Sequence, residues 1–348
     1  EGEFGELVQR GGLIIGKGDS ERYEHEDGTF WNYAQGDATF EGAEFTVYNR
    51  SAAPVWHDAN GDGAFQEAEE FAPGEAVMTV ATEYDAALDA WTATTGMRAL
   101  PFGTYEVVES RPPAGHTNAG VVSHVVEIRE DGQFDQLVYG DGMLNEVVRG
   151  GVQVQKDDRE LGASEALGGN GHSSIGDEGY FGSSLAGIGF TIVNASEHGV
   201  MVGGTYFPKG SVVAEIETAW NPEARAYTAQ TASDTLPYGT YTIAETSAND
   251  SYLLTDGEPR TFEVREDGRV VKADREGEAL LWRDQAVRND MHLQKKASIG
   301  GGKLVHHGCR SDSNSSGAYE IPVIRSSCPR IFAVLTAKKI IPGFHAAL

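Results

Sequence analysis

Apolar and polar residues alternate over short stretches in many parts of this chain. The period of two is clear in Val152–Lys156, Phe190–Val193 and Tyr241–Ala244, and it is typical of β-strands that bury one face. Glu-Asp-Gly and Pro-Tyr-Gly turn sequences separate such stretches, and no long segment has the 3.6-residue period of a helix. The pattern therefore predicts an all-β protein with the architecture of a β-sandwich.

The same succession of strands and turns occurs twice. Three pairs of segments match in order along the chain: residues 40–49 with 185–194, 100–110 with 236–246, and 127–132 with 263–268. The spacing of the first pair differs from that of the other two, so insertions or deletions separate the copies. Self-similarity of this kind indicates two tandem domains, with the joint near Arg149–Gly150.

We predict sandwich domains at residues 11–149 and 150–296, followed by an irregular tail at 297–348. The tail is basic and contains both cysteines of the chain, Cys309 and Cys328. We expect it to be disordered or to be a truncated next domain. A zinc site formed with nearby histidines is the weaker alternative, because the two cysteines stand apart and no CxxC pair occurs.

Charge and composition exclude several classes of protein. The chain has 53 acidic and 27 basic residues and a formal net charge of -26, which argues against binding to nucleic acid or to an anionic membrane surface. No apolar run reaches the length of a membrane-spanning helix. The chain starts at Glu1, so we expect that a signal peptide was removed or lies outside this segment. The two predicted domains contain no cysteine, so disulfides cannot stabilise them.

Lysine, glutamate and asparagine recur at corresponding places in the two copies. The two sets are Lys17, Glu109 and Asn145, and Lys156, Glu245 and Asn289. If the first and last strands pair, each lysine meets its asparagine in the core, where burial favours a neutral amine and a neutral carboxylic acid. A neutral amine is a nucleophile and the acid can move protons, so an amide could form with release of ammonia. Alternatively, these are surface polar residues that recur because the domain was duplicated.

The motifs of the second copy resemble a known family. In order, they are Gly-Val-Gln-Val-Gln-Lys156, Leu-Ala-Gly-Ile-Gly-Phe190, Leu-Pro-Tyr-Gly-Thr-Tyr-Thr-Ile-Ala-Glu245 and Arg-Asn289. This succession is similar to that of the SpaA/Cna B-type domains of Gram-positive pilins and adhesins. The resemblance extends over nearly all of residues 11–296 and implies two tandem Ig-like or prealbumin-like β-sandwiches.

The resemblance also implies chemistry. It implies intramolecular isopeptide bonds between Lys17 and Asn145 and between Lys156 and Asn289. Glu109 and Glu245 would be the catalytic partners of these bonds. The first copy departs somewhat from the family pattern, because its Glu106 is a second carboxylate near the expected site.

A second candidate site lies in the first copy alone. The segment Asp58–Glu69 fits the twelve-residue calcium loop, in which alternate residues supply oxygen ligands and Gly63 allows the sharp turn. The candidate ligands are Asp58, Asn60, Asp62, Ala64, Gln66 and Glu69. Residues 55–63 also resemble the calcium loops of serine-aspartate-repeat adhesins. The alternative is an acidic turn that binds no metal. We expect no organic cofactor.

These observations predict a structural stalk segment of a pilin or adhesin, outside the cell of a Gram-positive bacterium, and not an enzyme. Met291–Lys295 resembles a further first strand and Glu6–Gly12 resembles the joint, so neighbouring repeat domains of a longer protein are the expected partners. Sortase-linked subunits, for instance through Lys209, and host extracellular ligands are further candidates. Two alternatives remain: a module that binds host glycoprotein or glycan through its loops, and an enzyme accessory domain of transthyretin type.

Overall fold

The computed structural model describes residues 7–21, 34–117, 123–137, 143–164, 184–272 and 279–286. Within these ranges, regular structure consists of β-strands and one short 3-10 helix, Glu67–Glu69. No helix in the described part of the chain has the length and apolar character that crossing a membrane requires. The predicted tail, with Cys309 and Cys328, lies outside the described residues.

The strands fall into two sets of thirteen with the same order. The first set is β1 (Arg10–Asp19), β2 (Glu44–Asn49), β3 (Val55–Trp56), β4 (Glu70–Phe71), β5 (Ala76–Ala81), β6 (Glu83–Asp85), β7 (Ala90–Thr94), β8 (Leu100–Pro101), β9 (Gly103–Arg111), β10 (His116–Thr117), β11 (Ser123–Ile128), β12 (Phe134–Leu137) and β13 (Met143–Val147). The second set is β14 (Arg149–Asp158), β15 (Gly189–Asn194), β16 (Val200–Val202), β17 (Thr205–Phe207), β18 (Val212–Glu217), β19 (Ala219–Asn221), β20 (Ala226–Gln230), β21 (Leu236–Pro237), β22 (Gly239–Ser247), β23 (Tyr252–Leu253), β24 (Arg260–Val264), β25 (Val270–Lys272) and β26 (Leu281–Ala286).

Eleven strands of each set form a sandwich of two sheets, and the other two pair with each other, β3 with β4 and β16 with β17. In the first sandwich, one sheet has the order β10-β13-β1-β7-β6, with β8 and β12 also paired to β1, and the other has the order β11-β9-β2-β5. The second sandwich repeats this as β23-β26-β14-β20-β19, with β21 and β25 paired to β14, facing β24-β22-β15-β18. The all-β prediction and the tandem sandwiches are therefore confirmed.

The first and last strands of each sandwich are neighbours and run parallel. Strand β1 pairs with β13 so that Asp19 is opposite Asn145, and β14 pairs with β26 so that Asp158 is opposite Asp284. Val148 alone separates β13 from β14. A chain that enters a sandwich along its first strand thus leaves it along the adjacent last strand.

Alternating inward positions of both sheets fill each core. Strands β9 and β22 have the same alternation of buried and partly exposed residues, because each shows one face to the core and the other outward. The central side chains of the first core are Leu13, Ile15, Phe45, Val47, Tyr105, Val107, Ile128 and Met143. Those of the second core are Val152, Val154, Phe190, Ile192, Tyr241, Ile243, Val264 and Trp282. Apolar burial in two separate cores stabilises each sandwich.

Candidate functional site

Charged side chains occupy inward-facing strand positions in both cores. In β14 the inward residue Val154 is followed two positions later by Lys156, which is 0% exposed. In β22 the same inward face ends with Glu245, which is 2% exposed. The first sandwich repeats the arrangement with Lys17 in β1 and Glu109 in β9. Because lysine and glutamate are almost never fully buried unless they are paired, these positions call for a specific explanation.

In the second sandwich, Lys156 contacts two carboxyl groups. Its Nζ donates a hydrogen bond to Glu245 Oε2 and lies 2.9 Å from Asp284 Oδ2. All three side chains are fully buried. Trp282, opposite Lys156 in the pairing of β14 with β26, packs edge-on against Phe190 with ring centroids 5.1 Å apart. An amine and two carboxyl groups therefore share a site with apolar aromatic walls.

The environment of Glu245 favours its protonated form. Burial and the hydrogen bond with Asp284 raise the pKa of Glu245 to about 8, although the charge of Lys156 acts in the opposite direction. Below that pH the carboxyl group of Glu245 is mainly neutral and can donate a proton. This is the protonation state that a general acid requires.

Asp284 is the residue that the sequence comparison of the two copies missed. Asn289, predicted as the partner of Lys156, lies outside the described residues, and its role stays a prediction. The strand registers give Asp284 the place in β26 that Asn145 has in β13, since each is opposite an aspartate two residues after the buried lysine. The sequence did contain one signal for Asp284. In both last strands a large apolar residue, Met143 or Trp282, stands two positions before a polar one.

In the first sandwich, Glu109 lies close to both the predicted lysine and the predicted asparagine. Asn145 Nδ2 donates to Glu109 Oε2 at 2.7 Å and to the carbonyl oxygen of Thr117 at 2.9 Å. Lys17 Nζ lies 4.0 Å from Glu109 Oε1 and donates to the carbonyl oxygen of Met143 at 3.1 Å. The structure thus brings the three predicted residues of this copy together at the end of the core.

The environment of Lys17 in the first sandwich favours loss of its proton. Burial lowers the pKa of Lys17 to about 8, although Glu109 and Asp19 act in the opposite direction. The second carboxylate considered from the sequence, Glu106, belongs to the partly exposed face of β9 and accepts a 2.7 Å hydrogen bond from Arg50 Nε. That bond lowers the pKa of Glu106. The carboxylate that faces Lys17 is therefore Glu109.

The predicted calcium loop connects β3 to β4, and its polar atoms bind the loop's own backbone. Asp58 accepts hydrogen bonds from the N–H groups of Gly61 at 2.8 Å and Gly63 at 2.9 Å. Glu69 is 7% exposed, and its Oε1 accepts from the N–H groups of Ala59 at 3.1 Å and Asn60 at 3.3 Å. Among the described residues, no group of three or more His, Cys, Asp or Glu side chains is arranged to hold a metal ion.

The remaining candidate ligands also form hydrogen bonds within the loop. Asp62 Oδ2 accepts from Gln66 Nε2 at 2.9 Å, Asn60 Oδ1 accepts from the N–H of Asp62 at 2.8 Å, and Ala64 donates its N–H to Asp62 at 2.8 Å. Calcium binding stays a prediction from the sequence. Lys209, considered for sortase linkage, lies exposed in the turn between β17 and β18.

Comparison with known proteins finds one family model that matches part of the second sandwich. Residues 179–278 match the family model of the SpaA prealbumin-like fold domain. A search of curated proteins finds no match.

A search of solved structures finds matches that include the following three proteins. The Bacillus anthracis TIE protein is 21% identical, covering 80% of this chain and 34% of its own, with a TM-score of 0.42. A streptococcal ancillary pilin is 18% identical over 81% of this chain and 63% of its own, with a TM-score of 0.25. The shaft pilin SpaA from Lactobacillus rhamnosus GG is 14% identical over 80% of this chain and 98% of its own, with a TM-score of 0.25. The chain thus spans about a third of the first protein and less than two thirds of the second.

The family match and the internal repeat describe the same unit. The matched range contains the strands of the second sandwich from β15 to β25. The first sandwich repeats their order and their registers, including the parallel pairing of its first and last strands. The second sandwich therefore has the prealbumin-like fold that the family model describes, and the first sandwich is a second copy of that fold.

Proposed function

We propose that this chain is a structural stalk segment of a Gram-positive cell-surface pilin or adhesin, held together by internal amide bonds that its own side chains form. One observation carries the proposal: Lys156 is fully buried with Glu245 and Asp284 as its two carboxyl partners. A buried ion pair of this kind is often no more stable than a well-packed apolar replacement. A covalent reaction among these groups gives a reason for their placement.

In the second sandwich the reaction is a condensation of Lys156 with Asp284. The neutral amine, after transfer of its proton to a carboxylate, attacks the Cγ atom of Asp284. Protonated Glu245 hydrogen-bonds to the Asp284 carboxyl group, donates a proton to the departing oxygen, and takes up the proton that the attacking nitrogen loses as the amide forms. One C–N bond forms, one C–O bond breaks, and water leaves, so that atoms and charges balance without any further reactant.

In the first sandwich the electrophile is a carboxamide. Lys17 Nζ attacks the Cγ atom of Asn145, whose Nδ2 already donates to Glu109 at 2.7 Å. Glu109 accepts a proton from the lysine side and returns it to the departing nitrogen, so that ammonia leaves. The two sandwiches would thus form the same kind of amide bond with different leaving groups.

Each bond would join the first strand of a sandwich to its last strand. Cross-linking removes conformations from the unfolded chain, and by the loop-closure relation for disulfides a loop of roughly 100 residues gains about 4–5 kcal/mol of stability. Unlike a disulfide, an amide bond is not reduced by thiols. The absence of cysteine from residues 1–296 fits a protein that relies on this chemistry outside the cell.

Proposed partners are the neighbouring domains of a longer surface protein and, through exposed lysines such as Lys209, sortase-linked subunits. The chemistry is a single turnover of the chain on itself, so the domains act as structural modules and not as enzymes. The proposal does not depend on the predicted calcium site.

The intact mass of the full chain tests the proposal. We expect a mass below the formula value by one water and one ammonia, and the loss of water should disappear in the Glu245→Gln variant while the loss of ammonia stays. Glu109→Gln is the matched control and should abolish only the loss of ammonia. Loss of two ammonias would identify Asn289 as the partner of Lys156 and contradict the assignment of Asp284. No loss at all would contradict the cross-links and favour a ligand-binding module.

A further inference from the structure

The two sandwiches meet through an acidic turn, Gln35–Asp37, which belongs to the first sandwich. Asp37 Oδ2 accepts hydrogen bonds from Thr240 Oγ1 at 2.6 Å and Arg265 Nη2 at 3.0 Å, and its Oδ1 accepts from the N–H of Glu197 at 2.8 Å. Burial alone would raise the pKa of Asp37, but these hydrogen bonds outweigh it and hold the pKa below its ordinary value. The carboxylate of the turn is therefore bound as an anion by the second sandwich.

The backbone of the acidic turn adds further bonds. The N–H of Gly36 donates to the carbonyl oxygen of Gly199 at 3.0 Å, His198 donates to the carbonyl oxygen of Gly36 at 2.9 Å, and Asp37 donates to that of Tyr238 at 3.1 Å. Gly36 has a φ of +61°, and a Cβ atom there would overlap the carbonyl oxygen of Tyr238. Only glycine allows this approach without strain.

The face that receives the turn, which we call the seat, consists of Tyr238, Thr240 and Arg265. Arg265 stacks on the Tyr238 ring with its Cζ atom 4.6 Å from the centroid, and its Nη2 donates to Thr240 Oγ1 at 3.1 Å. Tyr238 also packs against an apolar cluster of the first sandwich. The members of that cluster are Ala34, Ala38, Phe40 and Val147. The seat thus combines a cation, a hydroxyl group and an aromatic ring.

The first sandwich carries the same seat at the corresponding place, formed by Phe102, Thr104 and Arg129. Arg129 stacks on the Phe102 ring with its Cζ atom 4.9 Å from the centroid, and its Nη2 donates to Thr104 Oγ1 at 2.9 Å. The side chains are therefore arranged as in the second sandwich. Phe102, however, is 50% exposed, and none of the described segments of the chain lies on it as the acidic turn lies on Tyr238.

The loop beside the seat is also repeated. In the second sandwich, Asn194 Nδ2 donates to the carbonyl oxygen of His198 at 3.0 Å and shapes the loop whose N–H groups bind the acidic turn. In the first, Asn49 Nδ2 donates to the carbonyl oxygen of Ala53 at 3.0 Å. The positions that correspond to Glu197 and His198 are Ala52 and Ala53, and both are exposed.

The chain also enters both sandwiches along the same path. The N–H of Tyr238 donates to the carbonyl oxygen of Val148 at 2.7 Å, and that of Phe102 donates to the carbonyl oxygen of Gln9 at 2.8 Å. Val147, just before the second sandwich, is 3% exposed because it packs in the preceding one. Val8, at the corresponding place before the first sandwich, is 58% exposed. The first sandwich thus exposes an apolar surface at the end where the chain enters it, whereas the corresponding surface of the second sandwich is buried.

We propose that the seat formed by Phe102, Thr104 and Arg129 is a docking surface for a further prealbumin-like domain that carries an acidic glycine turn like Gln35–Asp37. The guanidinium group of Arg129 and the exposed ring of Phe102 match a carboxylate and small apolar residues, as their counterparts do within this chain. The contact would repeat the existing one end to end. The inference extends the proposed stalk function, but it does not depend on the amide bonds, whose test is a mass measurement.

A lengthened chain provides the test. A second copy of residues 10–148 is placed directly before Arg10, so that the new joint reproduces the junction of Val148 with Arg149. Amide hydrogen exchange at Ala52 and Ala53 should become slower by about tenfold or more than in the parent chain, since these N–H groups would bind the added turn. Exchange at Glu197 and His198, already bound in the parent, should not change.

Two variants of the lengthened chain make the result specific. Asp37→Ala in the added copy alone, and Arg129→Ala in the following domain, should each return the exchange at Ala52 and Ala53 to that of the parent. Circular dichroism and exchange in the cores show whether every domain is folded. Unchanged exchange at Ala52 and Ala53 in a folded lengthened chain would overturn the proposal, and so would protection that persists after Asp37→Ala.

Discussion

At the scale of single residues, the alternation that buries leucine, isoleucine and valine also buries lysine and glutamate. Lys17 and Lys156 occupy inward positions that any apolar residue could fill. Burying a charge costs free energy even when the charge is paired, so an apolar residue at these positions would give a core of equal or greater stability. Amide formation requires an amine beside a carboxyl or carboxamide group in an apolar enclosure. The next two predictions test this chemistry.

The first prediction concerns the identity of the partner of Lys156. In the Asp284→Asn variant, the same amide bond forms with loss of ammonia in place of water, so the mature protein should have the same mass as the mature wild type. Asp284→Ala should retain the elements of water that the wild type loses in this sandwich, and Asn289→Ala is the control that should still lose them. Intact mass spectrometry with peptide mapping checks all three. Wild-type cross-linking in the Asp284→Ala variant would contradict the assignment.

The second prediction concerns pH. Lys17 reacts as the neutral amine, and its pKa is lowered to about 8, so the bond of the first sandwich should form faster as the pH rises and level off above that value. Glu245 acts as the protonated acid, and its pKa is raised to about 8, so formation of the bond in the second sandwich should slow as the pH rises beyond it. Protein refolded from the unlinked, denatured state and sampled by mass spectrometry gives both rates. Identical pH profiles for the two bonds would count against these roles.

At the scale of elements, Glu69 holds the loop between β3 and β4. Besides the two backbone N–H groups, it accepts a hydrogen bond from Trp56 Nε1 at 3.3 Å. Glu69→Ala leaves these donors without their acceptor and should lower the free energy of unfolding by about 1–3 kcal/mol. Glu70→Ala, at the exposed neighbouring position, is the control and should have little effect. Denaturant unfolding measures both.

The same loop tests the predicted calcium site. If Asp58, Asn60, Asp62 and Glu69 rearrange to bind calcium, the metal should raise the melting temperature and slow amide exchange in residues 58–69, and a chelator should reverse both effects. The Asp62→Ala variant should lose this response. A melting temperature that is the same in calcium and in chelator would leave the loop as a hydrogen-bonded turn without a metal.

The sequence reveals the elements better than it reveals their registers. Alternation and turn sequences predict strands such as β14, β15 and β22, and the internal repeat predicts two copies of one fold. Lys17 and Glu109 could be found because the second copy has the same residue types at the corresponding strand positions, and Asn145 because it lies in the predicted last strand. Asp284 was missed because the parallel pairing of β14 with β26 sets its place, and the signal that β13 and β26 share is short, a large apolar residue two positions before a polar one. The acidic turn was missed too, since its contacts join residues that are far apart in the chain.

At the scale of the whole molecule, the contact through Asp37 couples the two sandwiches. Asp37→Ala removes an anion that accepts three hydrogen bonds, and its loss should weaken the contact by about 1–3 kcal/mol. We expect faster amide exchange at His198 and at Met201, whose N–H donates to Gln35 Oε1 at 2.8 Å. We also expect a broader range of interdomain distances in small-angle scattering, while both cores stay folded. Glu223→Ala, an exposed change in the second sandwich, is the control. Unchanged exchange at these amides would mean that other contacts hold the domains together.

The parallel pairing of first and last strands determines how the molecule responds to pulling. Tension enters a sandwich at the start of β1 and leaves at the end of β13, so the two adjacent strands are sheared along their length and their hydrogen bonds resist together. The proposed bridge from Lys17 to Asn145 lies within this strand pair and would pass the load directly to β13, Val148 and β14. The sheet β11-β9-β2-β5 would then lie outside the mechanical path, and the surface it carries would keep its shape while the chain is under strain.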